Sequence, residues 1–233
     1  LSESGPSSGG RTPQLVASPR FPLQYEVEDA GPNGPAVVEL WVTRDGGRSW
    51  SRLGEDSDRT SPFLVDLAGD GTHGLTLVAR SASGLGDRPP APGDAPQLWV
   101  EVDTTPPVVQ VNPPRVGVGI HAGKVAISWH ATDLHLGPRP VVISYRPDQA
   151  DAPWEPIADR LDNTGMYVWN VPANVPPRIH IRVDVQDAVG NRAHADTMSS
   201  GSILVDRTRP RSRIIGLDPQ GRGGDGPSAR PMR

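Results

Sequence analysis

The sequence predicts an all-β protein built from two tandem antiparallel β-sandwich domains, and three observations carry that prediction. Glycine and proline number 26 and 27 among 233 residues, while apolar residues still make up 35%. That mixture suits many short strands joined by turns better than it suits disorder. Stretches such as "VVELWVT" and "RIHIRVDVQD" alternate apolar and polar residues at period two, and no window sustains apolar residues at helical spacing. Finally, the chain lies over itself when shifted by about 104 residues.

The repeat orders the elements. "QYEVEDAGPNGPAVVELW" lies over "SWHATDLHLGPRPVVISY" without a gap, so Tyr25 meets Trp129, Asp29 meets Asp133 and Trp41 meets Tyr145. At the same offset Trp50 meets Trp154, and Leu75, Leu77 and Ala79 meet Ile179, Ile181 and Val183. One residue is then lost, and "VDTTPP" falls over "VDRTRP". In the first copy "LQYEVED", "VVELWVT", "LTLVARS" and "LWVEVD" read as strands. In the second, "KVAISWHATD", "PVVISYRP", "RIHIRVDVQD" and "SILVD" do. Seven or so short strands in about 100 residues describe a sandwich. The core of copy one is expected to hold Tyr25, Trp41, Leu75, Leu77 and Ala79, and that of copy two Trp129, Tyr145, Ile179, Ile181 and Val183.

Adjacent prolines stiffen a chain and cannot pair within a central strand. "DTTPP" therefore marks the junction, with one domain at 13–104 and the next at 105–208. Residues 1–12 read as a flexible linker. Residues 209–233 read as the start of a further junction followed by a polar, Gly/Ser/Pro-rich tail. The chain opens on Leu1, which suits a piece of something longer.

Charge and composition exclude several classes. The net charge is −4 with scattered basic residues, which gives no footprint for nucleic acid. No cysteine is present, so disulfides and thiolate metal sites are excluded. The longest apolar runs are too short to span a bilayer.

Particular residues carry a family resemblance. "VAISWHATD" is similar to strand B of fibronectin type III domains, "ISYRP" to the following strand C, and "IHIRVDVQDAVGN" to the F strand and F–G turn. The D-x-T-x-P junctions resemble those between tandem immunoglobulin-like or fibronectin-like repeats in bacterial surface and secreted proteins. The "ELWVTRDGG…W" stretch is also similar to large planctomycete envelope proteins. The resemblance covers residues 13–208. It implies an extracytoplasmic setting, neighbouring repeats as partners, and spacing or adhesion to glycan or envelope protein rather than catalysis. The sequence departs from the family at the tyrosine corner, where His73 and Pro177 stand near the expected Tyr.

Several motifs bear on chemistry. "TRDGGRSW" fits the Asp-box pattern found in propeller glycosidases: Thr43, Asp45, Gly47, Ser49 and Trp50. Asp45, Gly46 and Gly47 are equally a hairpin turn with Trp50 packed behind it, and the second copy, "RPDQADAPW", keeps Trp154 but loses the box. The turn reading therefore leads: residues 36–43 and 49–53 should pair, with Asp45 accepting backbone N–H groups of the turn. A glycosidase stands third among functions, behind a spacer and a binding module that would use Trp50 and Trp154 as ligand contacts. No catalytic residue and no cofactor is assigned. "DLAGDGTHG" lacks the ligand series of a calcium loop and reads as an E–F turn, and "DAVGN" as a hairpin tip. Calcium at the junctions remains an alternative through Asp103, Asp187 or Asp206. His121, His130 and His135 read as solvated histidines rather than zinc ligands, with His130 pointing outward if Trp129 points in.

Overall fold

The computed structural model describes residues 12–28, 34–207 and 211–216. The two expected terminal stretches thus lie outside the described residues, apart from Thr12 and 211–216. Within them the chain is almost entirely strand and turn, with one-turn 3-10 segments at Gly119–His121 and Met198–Ser200.

The N-terminal half contains β1 (Gln14–Val16), β2 (Arg20–Leu23), β3 (Val37–Thr43), β4 (Ser51–Glu55), β5 (Phe63–Asp66), β6 (Gly71–Arg80) and β7 (Leu98–Val102). One sheet runs β1-β7-β6-β3-β4, and β2 pairs β5 in a second. Every pairing is antiparallel except β1 with β7. The alternating strands send Leu40, Leu75, Val100 and Val102 from the first sheet and Phe63 and Val65 from the second into one apolar cluster.

The C-terminal half contains β8 (Val108–Val111), β9 (Arg115–Val116), β10 (Lys124–Thr132), β11 (Val141–Pro147), β12 (Glu155–Leu161), β13 (Met166–Asn170), β14 (Arg178–Gln186), β15 (Arg192–Asp196) and β16 (Ile203–Leu204). One sheet is β13-β10-β8 with β9 added to β10, and the other is β12-β11-β14-β15 with β16 added to β14. Both again meet in one core: Val125, Ile127 and Trp129 of β10 pack with Ile143 and Tyr145 of β11 and with Ile179, Ile181 and Val183 of β14. Among the described residues no sheet mixes strands from the two halves.

In copy two each expected core residue is buried, Trp129 at 4% exposure and Tyr145 at 5%, and His130 is on the exposed face as the register requires. Copy one needs correction. Leu75 is buried, and Tyr25 and Leu77 pack at the cluster's edge, but Ala79 is only half-buried and Trp41 lies outside the core. Pairing explains Trp41. Leu40 stands opposite Leu77 and Trp41 opposite Thr76, whereas Tyr145 stands opposite Ile181. If Leu77 corresponds to Ile181, the counterpart of Tyr145 is Leu40, and the self-alignment is off by one residue along β3. A single-residue slip moves a side chain to the other face. Trp41 therefore joins Glu39, whose carboxylate takes Arg52 at 2.8 Å and Arg80 at 2.9 Å. "LQYEVED" also departs from expectation: β2 ends at Leu23, and the Tyr25 amide turns instead to Ser61 Oγ at 3.0 Å.

Candidate functional site

Two regions gather polar side chains beyond what strand pairing demands: the hairpin around Asp45 and the junction between the halves.

At the hairpin, β3 and β4 pair across the "RDGGRSW" loop, and Gly46 and Gly47 take left-handed φ values of 80° and 87°. Asp45 turns back into its own loop. Its Oδ1 accepts the Ser49 amide at 2.9 Å and the Thr43 hydroxyl at 2.9 Å, and its Oδ2 accepts the Ser49 hydroxyl at 2.6 Å. Asp45 thus accepts a backbone N–H of its turn as expected, from Ser49 rather than from a glycine. The Gly47 amide donates to Thr43 Oγ1 at 2.9 Å, so a threonine shares the turn with the carboxylate. These donors, with the Ser49 hydroxyl first, hold the Asp45 carboxyl at about 2. Gly47 is required for a second reason: a Cβ there would come within 2.3 Å of the Asp94 carbonyl. Trp50 is half-buried behind the loop, and its Nε1 lies 3.9 Å from that same Cβ position.

The two tryptophans offered as ligand contacts differ. Trp154 packs against two guanidinium groups, Arg146 and Arg182, each 5.7 Å from its ring centroid. Trp50 instead forms one wall of a cavity and leaves its Nε1 buried without a partner. Both rings are half-buried.

At the junction, the linker is bonded from both sides. Asp70, in the turn before β6, accepts the Thr104 amide at 3.2 Å, the Thr104 hydroxyl at 2.8 Å and the Thr105 hydroxyl at 3.1 Å. The Thr104 hydroxyl is the main reason that the Asp70 carboxyl sits below its ordinary range. From the C-terminal half, Asn191 Nδ2 donates to the carbonyls of Asp103 at 3.1 Å and Thr105 at 3.4 Å. Asp187 orients that amide: its Oδ2 takes Asn191 Nδ2 at 2.7 Å, while its Oδ1 accepts the amides of Val189, Gly190 and Asn191. "DAVGN" is thus a hairpin tip that also reaches the linker.

His135 corrects the expectation of a solvated histidine. It is half-buried, and its Nδ1 meets the buried Asp103 Oδ2 at 2.6 Å. Asp133 Oδ1 accepts the His135 amide at 2.7 Å, and among the described residues Asp103, Asp133 and His135 place one ligand atom each within 4.8 Å of the others. The calcium candidates Asp103, Asp187 and Asp206 do not form this group. Calcium takes six to eight oxygen ligands, whereas this set offers two carboxylates and an imidazole. Asp187 spends its carboxylate on four N–H donors, and Asp206 lies beyond β16 near Ala173 and Pro177.

His73, which stands near the position where the family resemblance expects a tyrosine, is 1% exposed, and its Nε2 meets the Gly69 carbonyl, four residues upstream, at 2.9 Å. A carbonyl only accepts, so Nε2 carries the hydrogen and ties β6 to the turn before it.

No protein-family model matches this chain, and no curated protein matches it either. Among the described residues no helix is long and apolar enough to cross a membrane.

Proposed function

We propose that the chain is a non-enzymatic tandem segment of immunoglobulin-like or fibronectin type III-like β-sandwiches, serving as a structural spacer in an extracytoplasmic bacterial protein. The observation that carries this reading is that both linkers are tied to the same turn of the copy before them. After copy one, Asp70 holds Thr104 and Thr105. After copy two, Arg207 donates to the carbonyls of Pro172 and Val175, in the turn between β13 and β14. The self-alignment sets Arg207 opposite Thr104, so the anchor recurs at one position with different chemistry. A spacer transmits geometry only if its joints resist bending, and inter-domain contacts of ordinary size leave relative motion as the default.

Small-angle scattering and NMR relaxation on the two-domain chain test this. The native chain should tumble as one elongated body, and Asp70→Ala with Asn191→Ala should decouple the halves while each keeps its fold. Independent tumbling of the halves in the native chain would overturn the reading.

A second reading, a binding module for glycan or an envelope protein, draws on one feature. A groove of about 590 Å³ runs between the loop after β10, the β12 strand and the tip after β14. Arg139, Arg160 and Arg192 line it beside Asp159, Asp184 and Asp187, and among the described residues none of these arginines forms an ion pair; Arg139 and Arg160 hold left-handed φ values near 52°, uncommon for such a side chain. Capture of a glycan by the native chain, lost in the triple Arg→Ala variant, would favour this reading over the spacer. The Asp box, folded on itself, favours neither.

A further inference from the structure

The joint between the halves brings together three side chains that are all metal ligands by chemistry. Asp103 stands just past β7 at the end of the first copy, while Asp133 and His135 stand in the loop after β10 of the second. One ligand atom of each lies within 4.8 Å of the other two, and Asp103 is buried. Backbone amides hold both carboxylates in place: Asp103 Oδ1 accepts the Thr105 amide at 3.0 Å, and Asp133 Oδ1 accepts the His135 amide at 2.7 Å. The other oxygen of Asp103, Oδ2, meets His135 Nδ1 at 2.6 Å.

A proton shared between His135 and Asp103 accounts for that pair alone. It leaves a second carboxylate beside a buried first one, and like charges at this range disfavour each other. Among the described residues neither Asp103 nor Asp133 pairs with an arginine or lysine, and His135 is the only cationic partner of either. Even with a protonated ring, the group therefore carries excess negative charge in a poorly solvated place. A divalent cation held by two carboxylates and a neutral imidazole leaves no excess.

The donor set selects the ion. Calcium takes six to eight oxygens and magnesium an octahedron of them. One imidazole with two carboxylates suits zinc, whose four-coordinate sites take His nitrogen and Asp oxygen at about 2.0–2.2 Å. Ligand atoms around such an ion stand about 3.3 Å apart, between the 2.6 Å contact and the 4.8 Å limit of this group. We infer that Asp103, Asp133 and His135 form a zinc site that closes across the joint, with solvent at the half-buried ring supplying the fourth ligand. The inference rests on the closed joint of the spacer reading, to which it adds a metal clasp between the halves.

The test is calorimetric titration of the full metal-free chain with zinc chloride, and separately with calcium chloride. One zinc should bind per chain, more tightly than calcium. His135→Gln, Asp103→Asn and Asp133→Asn should each weaken zinc binding at least about ten-fold, the lower bound for disturbing even an outer partner of a metal site. Both asparagines keep an oxygen to accept the backbone amide, and the ¹⁵N spectrum of each variant checks its fold. His130→Gln removes a neighbouring exposed histidine and should leave the affinity unchanged. No saturable binding at millimolar zinc, tighter binding of calcium, or undiminished affinity in a folded His135→Gln chain would each overturn the proposal. A chain that tumbles as one body but binds no zinc would sink the site and leave the spacer standing. Halves that tumble independently with zinc bound would do the reverse.

Discussion

The two halves share a repeat, yet they spend their tryptophans differently. In the C-terminal half Trp129 is buried in the core and its Nε1 donates to Asn163 Oδ1 at 2.9 Å. In the N-terminal half the aligned position is Tyr25, half-buried at the edge, with its hydroxyl 2.6 Å from Asp56. Tyr25 lies just past β2, which has four residues against nine in β10. The lesson concerns where each half keeps its core: copy two fills a continuous core from both sheets, whereas copy one leans on its five-stranded sheet and closes the other side with a two-stranded ribbon.

The largest expected effect breaks that comparison at its centre. Trp129→Ala should lower the stability of the C-terminal half by about 3–5 kcal/mol, the usual loss for a buried aromatic. Trp41→Ala should cost the N-terminal half only about 1 kcal/mol, since Trp41 sits half-buried on the outer face. Chemical denaturation that resolves the two halves checks both, and equal losses would show that the corrected register of β3 is wrong.

Next in size is the tyrosine that each half anchors on a carboxylate. Tyr145 is buried and donates to Glu155, and burial first, then that bond, pushes its hydroxyl up to about 12. Tyr145→Phe leaves Glu155 at an exposed strand end where water replaces the lost partner, so the cost should be about 1 kcal/mol. Spectrophotometric titration should show Tyr145 ionising above the ordinary tyrosine value of 10.0, and the Glu155→Gln variant should lower it. Ionisation of Tyr145 in the ordinary range would mean that its carboxylate contact is absent in solution.

A smaller effect sharpens the contrast between Trp154 and Trp50. Removing one of the two guanidinium groups over Trp154, as in Arg182→Ala, should cost about 0.5–1 kcal/mol. It should also shift Trp154 emission to the red as water reaches the ring. The corresponding probe in copy one, Arg44→Ala, should leave Trp50 emission unchanged, since the Arg44 guanidinium is directed to the Asp70 carbonyl at 3.3 Å.

How much of this was legible in the sequence follows from the range of each interaction. Alternation at period two announced the strands, and the recurrence of D-x-T-x-P announced the joints, because both are local. The face of Trp41 was misread because self-alignment fixes register only to within a residue where β-bulges intervene, and β3 carries a register shift against β4 between Leu40 and Trp41. The pairing of His135 with Asp103 crosses 32 residues, and that of Asn191 with the Asp103 carbonyl crosses 88. Nothing in either neighbourhood specifies the partner. The strand β15, which copy one replaces with the loop before β7, was hidden because "RAHAD" has neither β-branched nor aromatic residues.

The smallest expected effect concerns the Asp45 hairpin, which copy two lacks. The folded chain holds the Asp45 carboxyl at about 2 against an ordinary 3.8. A depressed carboxyl stabilises the fold above its unfolded value and loses that contribution as pH falls through its folded value. The N-terminal half should therefore lose stability progressively between about pH 4 and pH 2 through this group. Asp45 is exposed, so solvent screens the charge and the loss is modest. Asp45→Asn keeps the side chain's shape and removes the titration. It should lower the melting temperature of the N-terminal half slightly at neutral pH, because Asn offers one acceptor where Ser49 and Thr43 use two oxygens. It should also flatten the acid limb of that half. The C-terminal limb, which includes the Asp148 carboxyl lowered by Ser202 and His180, should not change. An unaltered acid limb in Asp45→Asn would mean that the loop's hydroxyl donors do not hold the carboxylate in solution, and the hairpin would then owe its shape to Gly46 and Gly47 alone.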